Sequence, residues 1–199
     1  MEATTQGELA GRALREFLEA AIHQLIHVRG LYPDAMFERR RIYGIPVKRS
    51  RHPDVNAYIE TSVHSLQELI DRGSIQKLAV IILDEEDKAV ERHVFSFSLK
   101  NKEITTTRDV DDVEQAFKAF LLKINALGSM ECTVQDGWTF EVVLYSSDRE
   151  YPGIEQWVEE DVQEGRIEIK RPVVTPIKTM HHGTMFLQAF SEHKPAPSE

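Results

Sequence analysis

KLAVIILDEEDKAVERHVFSFSL, residues 77–99, changes its hydrophobic pattern halfway along. Its first part, KLAVIIL (77–83), is an unbroken apolar run, as expected of a strand buried on both faces. DEEDK makes a turn. VERHVFSFSL (90–99) then sets Phe95, Phe97 and Leu99 on one side at period two. The centre of the chain therefore reads as a pair of strands joined by an acidic turn.

Both flanks read mostly as helix. Leu14, Phe17, Leu18, Ala21, Ile22, Leu25 and Val28 recur at steps of three and four within residues 9–29, and Gly30 and Pro33 end the pattern. A second helix is predicted over 54–72, opened by Pro53 and Asp54, striped by Val55, Ile59, Val63, Leu66 and Ile70, and stopped by Gly73. A third covers 111–127, with Asp111 and Glu114 as a capping pair, Val113, Phe117, Phe120, Leu121 and Ile124 as its buried side, and Gly128 as its stop. TFEVVLY (139–145) is another alternating strand. Helix, helix, hairpin, helix, strand is an α+β order, with three long helices packed on one face of a mainly antiparallel sheet.

The last quarter differs in character. SDREYPGIEQWVEEDVQEGRIE (147–168) has eight acids against two bases, no clean period, and an isolated Trp157. Two short strands, VVTPIK (173–178) and TMFLQAF (184–190), flank a turn-like HHG. In TMFLQAF, Met185, Leu187 and Ala189 share one face, and Phe186, Gln188 and Phe190 the other. The whole reads as a single domain over 1–190, with a core at about 9–147 and a distinct segment at 148–190. Residues 191–199, SEHKPAPSE, read as a disordered tail.

A length of 199 residues suits one domain with a sizeable core, and 41% hydrophobic and 29% charged residues are ordinary for a soluble protein. The single cysteine, Cys132, excludes an internal disulfide and a cysteine-built zinc site. No apolar run approaches the roughly 18 to 20 residues that cross a bilayer. MEATTQGELAGR has no basic-then-apolar pattern, so no secretory signal is expected and a cytosolic or nuclear protein follows.

No constellation of catalytic residues is readable, and neither a metal nor a cofactor is expected. Glu19, His23 and His27 share a helical face, but Gln24 stands where a metalloprotease motif needs Glu, so they read as a solvated polar stripe. His181-His182 reads as a turn dipeptide, and Cys132 as an inert thiol without a glycine-flanked elbow. GxxxxGK[ST] is absent, and DEED and VEED read as turn and loop charges.

One stretch runs against the net charge of −9: FERRRIYGIPVKRSRHP (37–53) holds six of the 24 Lys and Arg residues. It reads as a basic loop between the first two helices. Clustered bases suit phosphate contacts, whereas the interleaved Phe37, Ile42, Tyr43, Ile45 and Val47 suit packing on the domain or a protein-binding rim. The acidic balance opposes a general duplex-coating role.

Five strings spread over the chain carry a resemblance: EFLEAAIHQLIHVRGLYPDAMFERRRIYGIPV (16–47), HPDVNAYI (52–59), VIILDEEDKAVERHVF (80–95), FKAFLLKI (117–124) and PIKTM (176–180). Together they resemble the HORMA domain. The YP-x-x-x-F and HP-x-x-N-x-Y strings are closer to its translesion-polymerase branch than to the spindle-checkpoint Mad branch. The resemblance implies a three-helix and sheet core with a C-terminal safety belt, here about 148–190, that wraps a partner peptide added as a strand to the sheet edge. The implied role is a non-catalytic adaptor. It would capture a Pro-containing peptide of the DNA polymerase zeta catalytic subunit and bridge it to the C-terminal domain of a scaffold translesion polymerase in the nucleus. The alternative is a HORMA signalling protein of the mitotic checkpoint or meiotic chromosome axis.

Residue by residue, the resemblance places Tyr58, Trp157 and Tyr32 at the peptide groove. It places Val174, Gln188 and Phe190 at a second partner interface, where the family often has Leu, Gln and Tyr; the departures keep apolar character and lose a hydroxyl. Arg39 and Lys118 fall on a HORMA–HORMA dimer surface, where Lys118 replaces an Arg whose fork it cannot reproduce. A AAA+ remodelling ATPase is a further implied partner, and the basic stretch becomes a rim for protein contacts, with direct DNA binding secondary.

Overall fold

The computed structural model describes residues 6–99, 107–129, 134–148, 150, 157, 165–182 and 185–195. Helix α1 (Gln6–Val28) leads into a hairpin of β1 (Phe37–Ile42) and β2 (Ile45–Ser50), then α2 (Pro53–His64) and the short α3 (Gln67–Asp71). The central strands β3 (Ile75–Leu83) and β4 (Ala89–Leu99) precede α4 (Thr107–Ala126). Strand β5 (Thr139–Ser146) follows, and β6 (Val173–His182) and β7 (Met185–His193) close the chain. The main sheet runs β5-β3-β4-β7-β6 with every neighbouring pair antiparallel.

As KLAVIIL predicts, β3 is buried on both faces. Leu78 and Val80 face the helices, joining a core of Phe17, Phe95, Phe117 and Phe120. There Phe17 stacks on Phe117 at 4.5 Å and meets Phe95 and Phe120 edge-on at 5.9 and 5.7 Å. Such pairs add about 0.5–1.5 kcal/mol each beyond the area they bury. Ala79, Ile81 and Leu83 point the other way, with Val94, and are covered by Ile167 and Ile169. Arg166 holds that cover in place: its carbonyl accepts the Ala89 N–H at 2.9 Å and its guanidinium reaches Glu141 at 2.8 Å. Strands β5 and β6, consecutive in the chain, are the two ends of this sheet.

Several sequence expectations are corrected. The stretch read as a basic loop, 37–53, is largely the β1–β2 hairpin. Tyr43 and Gly44 turn it with φ of 48° and 75°, the positive pair of a tight two-residue turn. Tyr43 is held there because its hydroxyl donates to the Ala13 carbonyl at 3.1 Å and its ring packs on the core. The predicted helix 54–72 breaks at Ser65–Leu66, which lets Leu66 and Leu69 both bury while the Ser65 hydroxyl bonds back to the Ser62 carbonyl. Asp111 does not cap α4, which already runs from Thr107, and Gly128 lies in a 3₁₀ turn after the helix. His181 and His182 are strand, not turn. Ser191, Glu192 and His193, read as tail, complete β7 because Ser191 and His193 pack inward against β4. Cys132 lies outside the described residues.

Nor are Glu19, His23 and His27 a solvated stripe; they face the hairpin. Glu19 pairs with Arg49 at 3.3 Å, His23 Nδ1 accepts the Ser50 N–H at 3.3 Å, and His27 meets Asp34 at 2.8 Å. Between them Gln24 accepts the Lys48 N–H and donates to Asn125 of α4, tying hairpin and helices together. Lys48 and His27, both bonded to Asp34, hold its carboxyl down at about 2. Burial, helped by the Arg49 charge, pushes the His23 imidazole down to about 4.

A second buried polar group sits at the C-terminal end of α1. That helix closes through Gly30 at φ 70°, with the Leu31 N–H on the Ile26 carbonyl and the Gly30 N–H on the His27 carbonyl. Just before the turn, Arg29 donates to Glu91 at 2.8 Å and to the Leu127 carbonyl at 3.3 Å, with both charged side chains only 2% exposed. His93 and His193 approach the other Glu91 oxygen at 3.3 and 3.2 Å, and His93 Nδ1 meets the Ser191 hydroxyl at 2.8 Å. Helix α1, β4, β7 and the end of α4 thus share one charged junction.

Two outcomes follow. The neutral, buried His23 takes up a proton near pH 6.5 when unfolded but only near 4 when folded. Below 6.5 the unfolded state therefore binds more protons, and stability falls with acidification. Urea titrations should show wild type losing about 1.4 kcal/mol per pH unit more than His23→Gln across that window. For the junction, Arg29→Ala should cost about 3–5 kcal/mol by leaving the Glu91 carboxylate buried and unpaired, and Arg29→Met with Glu91→Leu should recover most of the loss.

Candidate functional site

Strand β5 is an end strand: β3 pairs with one edge, and no strand among the described residues occupies the other. Helix α2 starts at the His52-Pro53 pair, where proline suits the first helical position. It carries Tyr58 to this edge. The Val142 N–H of β5 donates to the Tyr58 hydroxyl at 2.9 Å, while Tyr58 remains 41% exposed. Its ring meets Phe140 edge-on at 5.7 Å, and Tyr32 meets Phe140 edge-on at 6.5 Å. Burial raises the pKa of both phenols, so both stay neutral and able to donate or accept hydrogen bonds.

Trp157 reaches the same helix. Its indole N–H donates to the Ser65 hydroxyl at 2.9 Å and its ring is half-buried against the main core. Ser65 caps α2 seven positions after Tyr58, two turns along one helical face and about 10 Å away. The structure therefore brings Tyr58 and Tyr32 together on Phe140 and sets Trp157 further along the same helix. Phe140 and Ser65 were missed from the sequence. The alternation in TFEVVLY offered a signal for Phe140; nothing in the sequence pointed to Ser65.

The second set lies on the opposite side of the sheet. Met185, Leu187 and Ala189 are buried, and Phe186, Gln188 and Phe190 are half-buried on the outer face, as their alternation predicts. Phe190 lies between Val94 and Pro176, and Gln188 between Ser96 and Thr179. Val174, 52% exposed, stands opposite Glu192 on that same face. Phe190 borders the cluster covered by Ile167 and Ile169, and Phe186 meets the His181 ring at 6.3 Å. Arg39 is exposed on β1 and Lys118 half-buried on α4; neither has an ion pair among the described residues. No group of three His, Cys, Asp or Glu among the described residues could hold a metal ion.

Residues 12–192 match the HORMA domain. The human mitotic spindle assembly checkpoint protein MAD2B is 30% identical, the match covering 94% of this chain and 92% of that protein. The DNA polymerase zeta processivity subunit of Arabidopsis thaliana is 31% identical, over 95% and 87%. Among solved structures, a chain of the mitotic checkpoint complex superposes with a TM-score of 0.80 at 23% identity, over 94% of this chain and 99% of that one. C. elegans HTP-2 bound to a closure motif of HTP-3 superposes at 0.76 with 7% identity, over 96% and 88%. At those identities the two structures speak for the fold, and the sequence match over nearly the whole chain speaks for the family. The chain belongs to the HORMA-domain family.

Proposed function

We propose that the chain is a non-catalytic adaptor that captures a Pro-containing peptide of the DNA polymerase zeta catalytic subunit and bridges it to the C-terminal domain of a scaffold translesion polymerase. The observation that carries this is the outer edge of β5, which no strand among the described residues occupies, where Tyr58 holds the Val142 N–H and Trp157 docks two turns along α2. A peptide added there gains main-chain hydrogen bonds from β5 and side-chain pockets from Tyr58, Tyr32 and Phe140. Because 147–172 leads from this edge to the far end of the sheet, a captured peptide is enclosed, and release requires the belt to detach. The relatives from Arabidopsis thaliana and Schizosaccharomyces pombe, named DNA polymerase zeta processivity subunits, support the choice of partner.

In this reading Val174, Gln188 and Phe190 form the second, independent interface, Arg39 and Lys118 lie on a HORMA dimer surface, a AAA+ ATPase reopens the belt, and the protein works in the nucleus. One observation favours the alternative of a mitotic or meiotic signalling protein: the vertebrate relatives carry the name mitotic spindle assembly checkpoint protein MAD2B. Affinity purification from damaged cells separates the two. Polymerase subunits favour the adaptor; checkpoint or chromosome-axis proteins without polymerase favour signalling.

Tyr58→Ala and Trp157→Ala should each weaken capture of the catalytic-subunit peptide by about 2 kcal/mol in calorimetry, with circular dichroism unchanged, as large aromatics at a peptide groove act as hot spots. Gln188→Ala with Phe190→Ala should abolish pull-down of the scaffold C-terminal domain and leave peptide capture intact. Loss of both activities, or of neither, would reject the two-surface arrangement.

A further inference from the structure

The β1–β2 hairpin forms a two-stranded sheet of its own, and its basic residues have no part in the peptide edge of β5. How the hairpin sorts its side chains suggests a use for them. Its register pairs Arg39 with Lys48 and Arg41 with Pro46, so these four share one face. Glu38 with Arg49, Arg40 with Val47 and Ile42 with Ile45 share the other. That second face is turned towards α1: Val47 is buried, Ile42 and Ile45 pack on the main core, and Arg49 pairs with Glu19. The first face is buried at its base, by Phe37 and Ser50, and leaves Arg39, Arg41 and Pro46 exposed.

Charge is unequal between the two faces. Towards α1, Arg49 is answered by Glu19 and Arg40 by Glu38. On the outer face Asp34 answers Lys48, but Arg39 and Arg41 have no ion pair among the described residues. Nor has Arg51, exposed just beyond β2. Arg39 and Arg41, two residues apart on one strand, stand about 6.6 Å apart along it. That interval is comparable to the step between successive phosphates of a nucleic-acid strand, and a planar guanidinium matches two phosphate oxygens. An acidic protein fits less well. Protein interfaces centre on apolar or aromatic anchors, whereas this hairpin turns Ile42, Tyr43, Ile45 and Val47 onto its own domain. Phosphate contacts need no such centre. With Phe37 buried, the face also offers no exposed ring for bases to stack on, which favours a backbone contact to a duplex. The net charge of −9 lowers the affinity without cancelling the contact, because charges beyond about 8 Å are largely screened at physiological salt.

We infer that the outer face of the β1–β2 hairpin, carrying Arg39 and Arg41, is a contact for the phosphate backbone of duplex nucleic acid, weak and independent of base sequence. It is separate from the peptide edge, so either site can fail without the other.

Fluorescence anisotropy of a labelled mixed-sequence DNA duplex, titrated with the full chain from low to physiological salt, tests this. Saturable binding is expected, with the logarithm of the affinity falling against that of salt at a slope of about −2 to −3, for two or three phosphates neutralised. Arg41→Ala, at an exposed position outside the dimer surface proposed above, should weaken binding several-fold on any duplex sequence and reduce the slope by about 1. Arg41→Lys should keep most of the slope. Lys123→Ala removes the same charge from an exposed position on α4 and should change neither quantity. An unlabelled Glu-rich peptide, added at matched charge, should displace the duplex less well than unlabelled duplex does. Absence of saturable binding at low salt, a slope near zero, or an equal loss in Lys123→Ala would each overturn the assignment. So would better displacement by the peptide, which would make the face a docking surface for an acidic protein.

Discussion

Strand β3 has no solvent-facing side, and the rest of the fold answers to that. A strand that is apolar on both faces must be covered twice. Helices α1 and α4 cover Leu78 and Val80, and the segment carrying Ile167 and Ile169 covers Ala79, Ile81 and Leu83. The two covers differ in kind. The helices present long amphipathic faces and an aromatic cluster around Phe17, whereas the second cover, among the described residues, is an irregular stretch that places Ile167 and Ile169 on the sheet, with the Arg166 carbonyl on the Ala89 N–H and its guanidinium on Glu141. The ion pair in the second cover is partly exposed, and such pairs contribute little by themselves.

The C-terminal hairpin is held differently. Strand β7 pairs with β4 along its length, and Ser191 and His193 enter the junction of Arg29, Glu91 and His93. Burial pushes His93 down to about 3, so it stays neutral beside the Arg29–Glu91 pair. A buried charge pair adds little net stability, but it penalises any arrangement that leaves one member alone. The junction therefore favours one docking of β7 against β4 and α1 over alternatives that the alternating pattern of β7 would also allow.

Much of this was legible in the sequence. The unbroken run 77–83 announced double burial, and the alternation in 184–190 correctly separated Met185, Leu187 and Ala189 from Phe186, Gln188 and Phe190. The failures have identifiable causes. Tyr43-Gly44 forms a tight hairpin turn with tyrosine in a left-handed conformation, a position usually filled by Asn, Asp or Gly, so the turn did not announce itself. Ser191 to His193 looked polar enough to be tail because their partners, Glu91 and His93, are themselves polar and buried. The Glu19, His23, His27 stripe looked solvated because its partner surface, the hairpin, had been read as a loop.

What the sequence determined by itself was the local period of each element and therefore which side chains share a face, because burying an apolar face requires the spacing of 3.6 or 2.0 residues that helix and strand geometry impose. The tertiary structure alone decided the order of the strands in the sheet, that the Tyr58 hydroxyl meets Val142, that Trp157 finds Ser65, and that Arg29 and His193 converge on Glu91. Those meetings join residues far apart in the chain. They depend on how whole elements pack and on which polar groups then lack water, and no local period encodes either.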